Sequence, residues 1–109
     1  MKTIARSAPV FAALGDETRL TIVARLSAAG PQSITQLTLG AGITRQAVTK
    51  HLHVLHTAGL VGCSRKGREQ RWRLELRELE EARRALDQIA AQWDSALASL
   101  KRFVEEEGG

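Results

Sequence analysis

"ITRQAVTKHLHVLHTAGLV", residues 43–61, decides the reading of this chain. Placed on a helix at about 100° per residue, Val48, His51, Leu52, Leu55 and Gly59 gather on one side, with Ala47 at its edge. Gln46, Thr49, Lys50, His53 and Thr57 fall on the other side, and Arg45 stands at the N-terminal end. An ordinary solvated helix face mixes Glu with Lys, yet no acid occurs between Glu17 and Glu69. The polar side instead carries groups suited to base edges. Arg and Lys donate to guanine O6 and N7, Gln pairs with adenine N6 and N7, and Thr offers a hydroxyl, or a methyl to thymine. Thr44 caps this helix and, with the helix N-terminus, can donate to a phosphate. These residue types predict a recognition helix from Thr44 to about Ala58, stopped at Gly59.

Working outward, Ser33 with Gln36 three residues on has the form of a capping box for a helix over 34–39. Gly40-Ala41-Gly42 makes a turn, so residues 33–58 have the spacing of a helix-turn-helix. Upstream, Pro9 suits the first turn of a short helix ending at Leu14-Gly15. Asp16 then reads as the N-cap of a helix carrying the apolar residues Leu20, Ile22, Val23 and Leu26, closed by Gly30-Pro31.

After Gly59 the period changes. In "LVGCSRKGREQRWRL", residues 60–74, Gln70, Trp72 and Leu74 alternate with Arg71 and Arg73, which predicts a β-hairpin with a basic tip around Ser64–Arg68. A disordered basic linker is the competing reading, but a linker has no use for an alternating apolar face. From residue 76 to about 106 the pattern is helical and long. Leu79, Leu86, Trp93 and Leu100 recur every seven residues, as do Ala82, Ile89, Ala96 and Phe103, an a/d seam over about four heptads. A helix of some 30 residues spans roughly 45 Å, too long for the rest of the chain to cover. The seam therefore predicts a homodimer interface, against the plainer alternative of one core helix with an extended end. The closing EEEGG is expected to fray.

Length and composition agree with this outline. The chain has 109 residues, which suits one domain over 1–109 that completes its core by pairing. Residues 44–77 hold eight basic groups against two acids, while the remainder holds eight against ten. Positive charge gathered in one third of a chain is the footprint of a polyanion site. No stretch approaches the roughly 20 apolar residues of a membrane span. The opening "MKTIARSAPVFAALGDE" invites comparison with a signal peptide, but its apolar run covers only Pro9 to Leu14, short of a secretory core. The single cysteine, Cys63, excludes an internal disulfide, suits a reducing cytosol, and reads as a small buried hydrophobe in the first wing strand.

"ALGDETRLTIVARL" (13–26), "ITRQAVTKHLHVLHTAGLV" (43–61) and "RKGREQRWRL" (65–74), in that order, resemble the winged helix-turn-helix repressors of the ArsR/SmtB family. The resemblance implies a mainly α fold with a two-stranded wing and a long C-terminal dimerisation helix. It also implies a cytoplasmic homodimeric repressor that binds double-stranded DNA at an inverted-repeat operator. Carried over by position, Arg45, Gln46, Thr49, Lys50 and His53 face the major groove, Arg65, Lys66 and Arg68 sit at the wing tip, and Arg71 follows in the wing. "QWDSALASLKRFVE" (92–105) resembles a metal-independent branch of that family. Metal sensors there use a cysteine pair on the first helix of the helix-turn-helix, or Asp and His on the last helix. Here residues 33–42 contain no cysteine and residues 57–109 no histidine.

No metal, cofactor or catalytic site is therefore expected. His53 and His56, three apart on a helix, could share an ion, but His51 is expected to turn inward and His53 toward DNA. No Gly-rich phosphate loop or Ser/His/Asp spacing supports an enzyme. A protein-interaction module with a solubilising basic third is a different reading. RNA binding is another, although Phe11, Trp72, Trp93 and Phe103 occupy apolar-patterned positions rather than a stacking platform.

Overall fold

Capping side chains open three of the helices in this chain. The computed structural model describes the backbone of residues 2–108 and the side chains of residues 4–107. Along it run α1 (Lys2–Arg6), α2 (Ala8–Leu14), α3 (Glu17–Ala29), α4 (Ile34–Thr38) and α5 (Arg45–Thr57). A hairpin, β1 (Val61–Lys66) and β2 (Glu69–Leu74), precedes the long α6 (Leu76–Gly108). The Asp16 carboxylate accepts from the Arg19 N–H at 3.0 Å and starts α3. That N–H, and then the charges of Arg19 and His51, hold the Asp16 carboxyl below its ordinary value. The contribution of the cap is accordingly present above the ordinary aspartate value and is lost as pH falls through the lowered one. Ser33 and Gln36 form the reciprocal capping box: Gln36 N–H donates to Ser33 Oγ at 3.1 Å, and Ser33 N–H donates to Gln36 Oε1 at 2.9 Å. Thr44 Oγ1 accepts from Ala47 N–H at 3.1 Å and opens α5.

The end of α5 fixes the path into the hairpin. Gly59 N–H donates to His56 O and Leu60 N–H to Leu55 O, both at 2.9 Å, the paired bonds of a Schellman motif, with Leu55 and Leu60 fully buried together. Gly59 takes φ +79°, and a Cβ there would stand 2.9 Å from Glu78 Cγ. Gly59→Ala should therefore cost about 1–2 kcal/mol through the left-handed backbone alone, read as a lowered urea midpoint with unchanged slope. The Leu60 carbonyl then accepts from Glu75 N–H at 2.9 Å, closing the base of the hairpin. Strand pairing runs from Val61 opposite Leu74 to Lys66 opposite Glu69. Gly67, at φ +64°, begins the two-residue turn, as a type II′ hairpin requires.

One core unites these elements. Leu37, Val48, Leu52, Leu55 and Leu60 are fully buried, and Val10, Ala13, Ile22, Leu26, Val61, Trp72 and Ala82 complete the cluster. Burying each large apolar side chain contributes about 1.5–3 kcal/mol. The inward side of α5 thus matches its sequence pattern: Val48, Leu52 and Leu55 are buried, and His51 is half-buried. Its Nδ1 lies 3.4 Å from Arg19 Nη1 and 3.8 Å from Asp16 Oδ2, so the turn against α3 is polar rather than greasy.

Leu20 is 53% exposed on the outer side of α3, leaving Ile22 and Leu26 to anchor that helix. Cys63, expected to be buried, is exposed. It stands opposite the buried Trp72, but on a strand whose cover ends at Gly62. The helix α6 continues through Glu105–Glu107 to Gly108, and the last residue of the closing EEEGG, Gly109, lies outside the described residues. Gln32, which no sequence pattern singles out, exchanges both backbone hydrogen bonds with Trp72, at 2.9 and 2.7 Å, adding a short third edge to the wing.

The seam on α6 divides. Ala82 is buried in the chain's own core and Leu79 packs against it. Both are therefore occupied within the chain, where α1 and α2 lie against α6. From Leu86 to Glu107 every residue is exposed. Leu86, Ile89, Trp93, Leu100 and Phe103 line that free length, joined by Leu97 and Val104, which the strict heptad pattern omits. No helix among the described residues is long and apolar enough to cross a membrane.

Candidate nucleic-acid interface

Three elements converge on one basic surface: the start of α4, the outer face of α5 and the tip of the hairpin. The capping box turns Thr35 outward beside the start of α5, and Arg45 reaches back to it, donating from Nη1 to Thr35 Oγ1 at 2.7 Å. Arg45 is thereby drawn toward the wing. Together with Ser33, Ile34, Thr35, Arg65, Arg68, Glu69 and Gln70 it lines a cleft of about 400 Å³ between α4 and the hairpin tip. Three guanidinium groups and two hydroxyl side chains face one carboxylate there, a balance that favours an anion.

Farther along α5, Gln46 and Lys50 are exposed and Thr49 is half-buried. With Arg45 they frame a shallow recess of about 620 Å³. The Thr49 hydroxyl donates to the Arg45 carbonyl at 2.8 Å. His53 is exposed on the same stripe but borders a different hollow, between α2 and α5, with Pro9, Ala12, Val54 and Thr57. His56 leaves the stripe and meets Trp72 edge-on, ring centres 6.3 Å apart. The three histidines thus take three different neighbourhoods: the α3 cap, the α2 hollow and the wing. Among the described residues no cluster of three His, Cys, Asp or Glu could hold a metal ion.

The sequence-derived list is therefore only partly gathered. Arg45, Arg65 and Arg68 share the cleft, and Gln46, Thr49 and Lys50 share the recess. Lys66 is exposed beside the hairpin turn. Arg71 sits back from the tip, its Nε 3.3 Å from Glu69 Oε1. Sequence reasoning missed Thr35 and Gln70. The capping box placed α4, but no local pattern reveals that α4 meets the wing.

Known proteins share this fold. Residues 14–62 match the model of a helix-turn-helix domain family. An HTH-type transcriptional regulator of Mycobacterium tuberculosis is 36% identical over 96 residues, spanning 88% of this chain and 86% of that one. The solved ArsR-like transcriptional regulator from Rhodococcus sp. RHA1 superposes with a TM-score of 0.78 at 43% identity, covering 94% of this chain and 96% of its own. A homodimeric winged helix-turn-helix DNA-binding domain from Mycobacterium bovis superposes with a TM-score of 0.61 at 25% identity, covering 85% and 82%. The chain belongs to the ArsR family of helix-turn-helix transcriptional regulators.

Proposed function

We propose that this chain is a cytoplasmic, non-enzymatic repressor that binds duplex DNA as a homodimer, with Gln46, Thr49 and Lys50 reading bases in the major groove. Thr44 and the cleft residues Arg45, Arg65 and Arg68 hold the sugar-phosphate backbone, Lys66 reaches it from the wing, and His53 borders the DNA at the far end of α5. Arg71, engaged with Glu69, contributes less. The observation that carries this reading is the acid-poor surface itself: a recess of base-reading side chains lies directly beside a cleft framed by three arginines. The second copy docks on the exposed length of α6 from Leu86 to Val104, where a solvated apolar stripe has no partner among the described residues. Two-fold symmetry then requires an inverted-repeat operator with half-site centres about 10–10.5 base pairs apart, or a multiple.

Selection of bound duplexes from a random library tests the proposal and returns the operator in one step. Recovery of an inverted repeat supports it; a pool no better bound than the starting library refutes it and leaves a protein-interaction module. The division of labour has its own expected result. Replacing Arg65, Lys66 and Arg68 together with Ala should weaken selected and random duplexes alike and flatten the log–log salt dependence by about 0.9 per lost phosphate contact. Arg45→Ala should behave like the wing variant, not like Gln46→Ala. An unchanged slope places the cleft away from DNA.

A further inference from the structure

We propose that Thr49 selects a thymine through its methyl group, so that each half-site carries one thymine whose 5-methyl seats against this side chain. The inference rests on α5 being the recognition helix and goes on to assign the base that its central residue reads. A threonine hydroxyl has one proton. In Thr49 that proton is given to the Arg45 carbonyl at 2.8 Å, one turn back along the helix. The oxygen is thereby turned toward the backbone, and the methyl is the remaining group at the end of the side chain. Guanine offers only acceptors, N7 and O6, on its major-groove edge, and a hydroxyl whose proton is already committed cannot donate to them.

The surroundings complete the fit. Arg45, Gln46 and Lys50 stand around Thr49 as the long walls of a shallow recess, and Thr49 is the short side chain among them. A half-buried threonine framed by hydrogen-bonding side chains suits the one major-groove edge that pairs an apolar methyl with an acceptor, that of thymine. Gln46 and Lys50 remain free to reach the neighbouring bases.

The test uses the best duplex selected from a random library, with each thymine replaced in turn by deoxyuridine, which removes only the 5-methyl. The full-length protein is compared with Thr49→Ser, which keeps the hydroxyl and loses the methyl, and with Thr49→Val, which does the opposite. At one position per half-site the unaltered protein should lose about fourfold in affinity, the factor supplied by burying one methyl group. Thr49→Val should keep that dependence, and Thr49→Ser should bind the two duplexes equally. If Thr49→Ser retains the dependence, or if no thymine responds while Gln46→Ala and Lys50→Ala still lose discrimination, Thr49 is not the reader although α5 remains the recognition helix. Loss by Thr49→Val of a preference for adenine or cytosine would assign the reading to the hydroxyl and equally overturn the proposal. A library that yields no preferred duplex removes the recognition-helix reading, and this one with it.

Discussion

Trp93→Ala should convert a dimer at micromolar concentration into a monomer. In the isolated chain Trp93 is 65% exposed, in the middle of a stripe that runs from Leu86 to Val104. An indole there has no partner among the described residues, and a Trp side chain buries 150–250 Å² when it finds one. Two-fold symmetry places both copies of Trp93 in one interface, so a single substitution removes two anchors. Truncating a buried aromatic costs about 3–5 kcal/mol, which at roughly 1.4 kcal/mol per tenfold raises the dissociation constant by two orders of magnitude or more. The protomer itself should be unharmed, because its core ends at Ala85 and Trp93 lies two turns beyond. Sedimentation equilibrium with far-ultraviolet dichroism separates the two effects. A monomeric unaltered protein would show that the free length of α6 serves something other than a second copy. Operator affinity should fall with dimerisation, since each half-site then binds alone.

The seam also shows where a sequence pattern stops being informative. The heptad repeat marks Leu79, Ala82, Leu86, Ile89, Trp93, Ala96, Leu100 and Phe103 as one continuous stripe, because periodicity reports which side of a helix is apolar. It does not report what that side meets. Ala82 belongs to the core of the same chain, where α1 and α2 lie against α6, whereas Leu86 and its successors meet solvent. The boundary depends on where the short N-terminal helices end, a tertiary fact. Local chemistry was far more legible. Asp16, Ser33 and Thr44 cap the helices that their side chains predict, and Gly59 and Gly67 take the left-handed conformations that their turns require. Cys63 misled because residue type alone suggested burial: it lies past the covered end of a two-stranded ribbon. Arg45 is the instructive case at the site. It lines the recess with Gln46, Thr49 and Lys50 and, through its bond to Thr35, also the cleft beside Arg65 and Arg68.

On α5 the two sides of one helix should respond to mutation in opposite ways. Gln46 and Lys50 are exposed and make no side-chain hydrogen bond among the described residues, so their truncation should leave stability within about 0.5 kcal/mol of the unaltered protein. A bidentate base contact contributes on the order of 1–3 kcal/mol of discrimination against a wrong base. Gln46→Ala or Lys50→Ala should accordingly weaken operator binding by roughly 5- to 150-fold per half-site at that scale, with a far smaller loss on random duplex. Lys50→Ala removes a charge as well, so its random-duplex affinity should drop somewhat more than that of Gln46→Ala. Leu52 points the other way. It is wholly buried beside Leu55, Leu37 and Leu60, and Leu52→Ala should cost about 2–5 kcal/mol of folding stability, a large part of the 5–15 kcal/mol that a small domain possesses. Its losses should be equal on operator and random DNA and should track the unfolded fraction, recovering on cooling toward the temperature of maximum stability. If Gln46→Ala and Lys50→Ala also lose operator and random binding equally while remaining folded, the outer side of α5 supplies only charge. Sequence selection would then have to come from the shape of the DNA held in the cleft.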